Sequence, residues 1–165
     1  MSIMDTATPR PLPAERDAAE RGLDVVLESR NDGRTFDDVA AAHDLTAASG
    51  VKTMVAKVSG GSTVFVLIPG TRRLDWSKLR SLLAVNKASL VKPEAALEIT
   101  GYESGTITPL GSNSVLPVYA DERIPGRHIG MGSGSVDFLL FTEADPLLAS
   151  LGAVVGDITS ESPAT

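Results

Sequence analysis

Two stretches of this chain hold residue types that chemistry could use. The first is Lys52, set in a β-rich apolar run at residues 51–58. Period-two alternation on a strand puts Lys52 on one face with Met54, Ala56 and Val58, and puts Lys57 on the other face near a turn, where it is solvated. An ammonium on an apolar face is costly unless it lies at a rim or meets a partner. Lys52 therefore reads as a side chain that snorkels from a strand end, or as a positive charge at the lip of a pocket. The second stretch is Gly101-Tyr102-Glu103-Ser104-Gly105-Thr106-Ile107-Thr108-Pro109-Leu110-Gly111. Loops of this length and glycine content are uncommon as plain connectors. Glycine reaches positive φ and leaves backbone N–H groups open to a ligand, while Pro109 restrains the far side. This is an ordinary loop, or a rigid one that offers amides to a carbonyl or a phosphate.

Other chemistries are excluded by composition. There is no cysteine, so a disulfide framework, a thiolate metal site and a protein thiol nucleophile are all absent. The dinucleotide, P-loop, zincin and nucleophile-elbow patterns are missing, and Gly130-Met131-Gly132 lacks the third glycine of a dinucleotide fingerprint. No metal or cofactor is expected, and His43 is assigned no role. The formal net charge of −6 argues against generic nucleic-acid binding, which is mostly phosphate neutralisation. Arg72, Arg73, Lys78, Arg80, Lys87 and Lys92 nevertheless gather in the middle of the chain. They form a solvated helix face, or a local basic strip for a nucleic-acid terminus. Residues 64–69, the most apolar stretch, are too short to span a bilayer, and residues 1–15 show no signal-peptide pattern. A soluble, cytoplasmic protein with no membrane partner is expected.

The elements that must position these residues alternate irregularly. Residues 1–12 read as a disordered tail, 13–159 as a single domain and 160–165 as a second tail. A short helix at 13–21 precedes a strand at 23–27 and an Asn31-Asp32-Gly33 turn. Thr35 looks like an N-cap, with Asp38 completing a capping box. The runs at 51–58 and 63–69 flank Ser59-Gly60-Gly61-Ser62 and read as a hairpin, apolar on both faces and hence central in a sheet. Asp75 caps a helix with Trp76, Leu79, Leu82 and Leu83 as its buried stripe. A short strand at 88–91 and a helix at 93–100 begun by Pro93 lead into the glycine loop. Strands follow at 115–120, with Pro117 implying an edge or bulge, then at 127–131 and 136–141, around the glycine turn 132–135. Asp137 is the lone charge of the last of these. Thr142 looks like the cap of a helix to Leu151, and residues 153–158 form a closing strand. The fold class is mixed α/β (α+β), a largely antiparallel twisted sheet surrounded by helices, and not a doubly wound fold.

Taken in order, several segments resemble the YbaK/EbsC family, the freestanding relatives of the editing domain inserted in bacterial prolyl-tRNA synthetases. Val51-Lys52-Thr53-Met54-Val55 is similar to the family's Lys-Thr strand. Gly101-Tyr102 with Gly105 to Gly111 resembles its Gly-Tyr-x-x-Gly-x-x-x-Pro-x-Gly loop. Val118-Tyr119-Ala120-Asp121 is similar to its strand ending in Asp, Gly130 to Gly134 to its second glycine turn, and Val154 to Thr159 to its closing strand. The resemblance runs from about Thr35 to Thr159. It implies hydrolysis of the ester bond of mischarged aminoacyl-tRNA, with Cys- or Ala-tRNA(Pro) as substrate. It also implies the tRNA acceptor end and a prolyl-tRNA synthetase as partners. By the same resemblance Lys52 is the functional lysine, touching the terminal phosphate or adenosine, and the amides around Gly105 hold the aminoacyl carbonyl. Thr53, Thr106, Ile107, Thr108, Pro109, Gly132, Ser133 and Asp137 become substrate-binding residues, Asp137 as a pocket acid. Attack falls to the substrate's own thiol in cysteine editing and to a bound water in alanine editing, so no side-chain triad is needed. Met131 departs from the small or hydroxyl residue that many members carry nearby. Two rival readings are a non-catalytic module that binds an aminoacyl-nucleotide or a partner protein, and a hydrolase of small esters.

Overall fold

The computed structural model describes residues 11–30 and 35–162. Its helices are α1 (Pro13–Glu20), α2 (Phe36–Ala41), α3 (Trp76–Leu83), α4 (Pro93–Thr100) and α5 (Ala144–Leu151). Its strands are β1 (Val25–Ser29), β2 (Gly50–Val58), β3 (Thr63–Pro69), β4 (Arg72–Leu74), β5 (Ala88–Leu90), β6 (Val118–Asp121), β7 (His128–Gly132), β8 (Phe138–Glu143), β9 (Val154–Gly156) and β10 (Thr159–Glu161).

The expected hairpin is the centre of the molecule. β2 and β3 pair antiparallel from Val51↔Pro69 to Lys57↔Thr63. Their turn uses Gly60 and Gly61 at φ of 89° and 88°, a conformation that side chains bearing a Cβ resist. The main sheet runs β1-β8-β7-β2-β3-β6-β9, with β5 added to β2, and β4 and β10 form a separate ribbon. Antiparallel pairs outnumber parallel ones, which occur at β2–β7, β3–β6 and β6–β9. The architecture is the mixed, largely antiparallel one expected.

Side-chain alternation sends residues from the same strands to opposite faces. One face carries the larger core, where Val51, Val55, Phe65, Leu67, Ile129, Met131 and Leu140 meet Ala14, Ala18, Ala96 and Leu147 of α1, α4 and α5. The other face carries two smaller cores. Ala56, Val58, Val64, Val66 and Ile68 pack with Leu79 of α3, and Leu139 and Phe141 pack with Val39 of α2. A gap between α2 and α3 is left on that face.

Several local readings shift once tertiary partners are present. The capping box at Thr35 forms: Asp38 N–H donates to Thr35 Oγ1 at 3.2 Å, and Thr35 N–H donates to Asp38 Oδ2 at 2.9 Å. Thr142 does not cap α5. It belongs to β8, and its hydroxyl donates to the Asp24 carbonyl at 2.8 Å, so the strand runs on and Glu143 becomes the N-cap. The strand expected at 115–120 begins only at Val118, after Pro117, whose carbonyl accepts Phe65 N–H at 2.8 Å. The closing strand expected at 153–158 shortens to β9, and Ser160 and Glu161, assigned to the second tail, belong to β10 and pair with Arg73 and Arg72 of β4. Leu12, assigned to the tail, is the N-cap of α1. The rest of that tail, the turn at 31–33 and residues 163–165 lie outside the described residues.

Asp75 ties the ribbon to α3. Its carboxylate accepts Lys78 N–H at 3.1 Å and the Ser160 hydroxyl at 2.6 Å. These contacts, the Ser160 bond foremost, hold its pKa below the ordinary 3.8. A carboxyl whose folded pKa is depressed adds stability above its unfolded pKa and loses that stability as pH falls through the folded value. Asp75→Ala is therefore expected to lower Tm at neutral pH. The gap from wild type should close as pH drops below 3.8, as checked by thermal melts across the acid limb.

Candidate functional site

β2 has one edge filled and one edge shared. β3 covers the first along nearly its whole length. On the second, β7 runs parallel and pairs only with Gly50 and Val51, while β5 pairs with Ala56, Lys57 and Val58. Residues 52–54 lie between them on an open edge. There the structure has a cleft of about 760 Å³ that takes residues from both faces of the sheet. Lys52, Met54, Ile68, Leu74 and Arg72 line it beside α3 and the ribbon, and Phe36 and Asp37 of α2 line it across the gap. Thr53, Gly105, Ile107 and Met131 line it from the side of the larger core.

Glycines set how closely these walls approach. A Cβ on Gly132 would stand 2.8 Å from the Thr106 carbonyl oxygen and 2.9 Å from that of Ile107. Only a residue without Cβ lets the glycine loop cross the end of β7 at this distance. Gly134 N–H then donates to the Thr106 carbonyl at 2.8 Å. Tyr102 braces the loop beneath: it is buried against Gly134, and its hydroxyl donates to the Leu110 carbonyl at 2.8 Å. Burial, then the charge of Asp17, pushes its phenol up to about 12. At the far end Gly111 N–H donates to Asp17 Oδ2 of α1 at 2.8 Å.

Of the residues singled out in the sequence, Lys52, Thr53, Gly105, Ile107 and Gly132 meet at this cleft. Thr106, Thr108, Pro109, Ser133 and Asp137 do not line it. Thr106 spends its hydroxyl and its N–H on the Glu103 carbonyl, at 2.7 and 3.0 Å. Thr108 is fully buried, and its Oγ1 accepts Leu110 N–H at 3.3 Å. Pro109 lines a different cleft of about 360 Å³, beside α1. Ser133 is also fully buried and pins its turn, its hydroxyl donating to the Phe138 carbonyl at 2.8 Å. Asp137 is exposed and precedes β8, and its carbonyl accepts Arg30 N–H at 2.8 Å. Of the presumed basic strip, Arg72 and Arg73 reach the cleft, whereas Lys78 is paired with Asp157 at 3.0 Å.

Sequence reasoning passed over Arg30, Phe36 and Asp37, which also line the cleft. Arg72 and Arg73 had a usable signal. They follow Pro69, which pairs with Val51 in the hairpin, and this brings them beside Lys52. Arg30 and Asp37 carry no local pattern, because only the α2 side of the gap gives them a place.

The site is rich in unspent polar groups. Among the described residues Lys52 and Arg73 have no ion-pair partner. Thr53 Oγ1 and Arg30 Nε are buried without a hydrogen-bond partner; such groups cost about 1–3 kcal/mol each until something fills them. In the loop, the amides of Gly105 and Ile107 make no backbone hydrogen bond among the described residues. Two free amides can hold a carbonyl oxygen as it gains charge. The cations beside them can hold an anionic group. No histidine lines the cleft, so the arrangement suits a bond that is already activated.

Comparison with known proteins adds four findings. The family model for the aminoacyl-tRNA editing domain matches residues 30–149. A proline–tRNA ligase of Oleidesulfovibrio alaskensis is 30% identical over 152 residues, covering 80% of this chain and 26% of the ligase. The ligase of Nitratidesulfovibrio vulgaris is 34% identical over 92 residues, covering 56% and 16%. This chain thus spans about a quarter of the first of these relatives and less of the second. The crystal structure of a candidate trans-editing enzyme for prolyl-tRNA synthetase superposes with a TM-score of 0.79 at 30% identity, covering 93% of this chain and 99% of the other.

Gly105 and Gly132 should respond differently to a methyl group. Gly105 has φ of 90° with open space around its Cβ position, so Gly105→Ala is expected to cost only backbone strain, about 1–2 kcal/mol. Gly132→Ala must also push Thr106 and Ile107 away. Urea unfolding should show the larger loss for Gly132→Ala, and amide exchange at Gly134 should quicken in that variant alone.

Proposed function

The chain belongs to the aminoacyl-tRNA editing domain family, and we propose that it is a deacylase that works in trans, releasing alanine or cysteine from mischarged tRNA(Pro). The observation that carries this reading is the open edge of β2. Adjacent residues on a strand point to opposite faces, so Lys52 and Thr53 divide the cleft. Thr53, Ile107 and Met131 offer a small, mostly apolar chamber for the amino-acid side chain. Lys52, with Arg72 and Arg73, offers a cationic chamber for the terminal nucleotide and its phosphate. The ester joins the two at the edge, beside the free amides of Gly105 and Ile107.

The chemistry follows from that placement. Water, or the substrate thiol in the case of cysteine, adds to the ester carbonyl. The oxygen of the tetrahedral intermediate takes the two amide hydrogens, an interaction that strengthens as charge develops; losing one such donor typically costs about 10²–10³ in rate. Collapse breaks the bond to the ribose oxygen, which receives the proton given up by the attacking water or thiol. The tRNA leaves, with the free amino acid as the other product after water attack and a cyclic thioester, opened by a further water, after thiol attack. Lys52 neutralises and orients the nucleotide and is not the base. A prolyl-tRNA synthetase is the natural partner, since it makes the mischarged substrate.

Met131 sets the size of the amino acid. It is 1% exposed at the wall of the chamber, and each methylene in such a pocket is worth about 1–3 kcal/mol of discrimination.

Two outcomes test the reading. Wild type should deacylate Ala- or Cys-tRNA(Pro), and folded Lys52→Ala should lose at least about 10² in kcat/KM. Inactivity of folded wild type on every mischarged tRNA would leave a non-catalytic module that binds an aminoacyl-nucleotide. Met131→Ala should raise the relative rate on aminoacyl groups larger than alanine by about 10–200-fold, measured as a ratio of kcat/KM values within the one variant.

A further inference from the structure

A second cleft of about 420 Å³ opens beside the first, and the two share Thr71, Arg72 and Ser162. It adds Arg123 and Arg127 from the connection between β6 and β7, and Glu161 from β10. Three arginines in one small cleft are unusual in a chain with net charge −6, and two of them are held in place from below.

The anchor is Asp121, which is fully buried at the end of β6. A buried carboxylate needs donors. Asp121 receives Ile158 N–H at 3.2 Å, the Thr159 hydroxyl at 3.0 Å, Arg123 N–H at 3.2 Å and the Arg123 guanidinium at 3.2 Å. Because Thr159 gives its hydrogen to Asp121, its oxygen is left to accept, and Arg72 Nε–H donates to it at 2.7 Å. Arg123 also meets Asp157 at 3.1 Å, and Asp157 in turn meets Lys78. Arg123 is thus neutralised and forms part of the floor. Arg72 is aimed by a neutral hydroxyl and by the Thr159 carbonyl at 3.4 Å; it forms no ion pair among the described residues, although Glu161, opposite it in the β4–β10 ladder, also lines this cleft. Arg127 is exposed and has no side-chain partner among the described residues.

We propose that this second cleft is a subsite for the phosphates of the single-stranded acceptor end, upstream of the nucleotide that carries the amino acid. The inference rests on the deacylase reading for the first cleft and extends it. Arg72, common to both clefts, bridges the terminal phosphate and the preceding one, and Arg127 takes the next along the strand. A phosphodiester fits better than a carboxylate partner, because an RNA chain leaving the first cleft must pass over Arg72. The subsite reads backbone charge and carries no base specificity.

The test compares wild type and Arg127→Gln on two substrates: mischarged tRNA(Pro), and the alanyl ester of adenosine, which has no upstream phosphate. On tRNA, Arg127→Gln should raise KM about fivefold. It should also flatten the slope of log(kcat/KM) against log[salt] by about 0.7, the value for one lost contact to a single strand. On the adenosine ester the two proteins should be equal. An unchanged KM and slope on tRNA would overturn the subsite, as would an equal loss on both substrates, which marks a disturbed first cleft. Should wild type deacylate neither substrate, the deacylase reading falls, and binding of an uncharged tRNA(Pro) minihelix with its single-stranded 3′ end decides the subsite by itself. An affinity and salt slope that depend on Arg127 would sustain it, and identical isotherms for the two proteins would sink it.

Discussion

Parallel strands β2 and β7 separate after two paired residues, and the candidate site hangs on that separation. Had the ladder continued past Val51, the backbone beside Lys52 and Thr53 would be spent on sheet hydrogen bonds. A backbone group left unpaired in a protein interior is costly, so the gap needs a reason to persist. It is held open from both ends. The glycine loop crosses β7 at Gly132, and β5 takes up the edge again at Ala56. Phe36, stacked toward Phe141 with ring centroids 6.3 Å apart, walls the side of α2. His43 also stacks on Phe141, with ring centroids 4.2 Å apart, and its Nε2 lies 3.1 Å from Glu28 Oε1.

Electrostatics is divided in the same economical way. The surplus of acid lies mostly away from the cleft, where Asp37 is the lone carboxylate among the lining residues. Two acids near the basic region, Asp121 and Asp157, are tied to Arg123 and Lys78, while Glu161 lines the second cleft itself. Those hydrogen bonds, the one from Lys78 first, hold the Asp157 carboxyl below its ordinary pKa. An acidic protein can in this way meet a polyanion locally without attracting polyanions generally.

How much of this was legible in the sequence depended on how far each signal had to travel. Thr35 with Asp38, Asp75 with Lys78 N–H, and the Gly60-Gly61 turn are decided within a few residues, and each formed as read. Thr142 carries the same cap signal, yet its hydroxyl finds Asp24, distant in sequence, and the strand wins. The ribbon of β4 with β10 was invisible, because Arg72-Arg73-Leu74 has neither alternation nor apolar content and pairs only once Thr159–Glu161 arrives. The loop was legible, and with it Gly105 and Ile107, but the sequence did not separate these from Thr106, Thr108 and Pro109, which do not line the cleft. Thr106 and Thr108 look like ligand-binding hydroxyls in one dimension, whereas in three they are spent on holding the loop's own shape.

That last point bears on heritable change. The groups assigned to the reacting carbonyl are peptide N–H groups, and a codon change at residue 107 alters the side chain and leaves the donor in place. Such a site has no catalytic side chain at this position for drift to erase. What drift can erase is spacing: a Cβ at Gly132, or a lost anchor at Tyr102 or Asp17, moves the donors without touching them. On the proposed reading, lineages of such a fold are free to rewrite the chamber, and with it the amino acid removed, while inheriting one unchanged piece of backbone machinery.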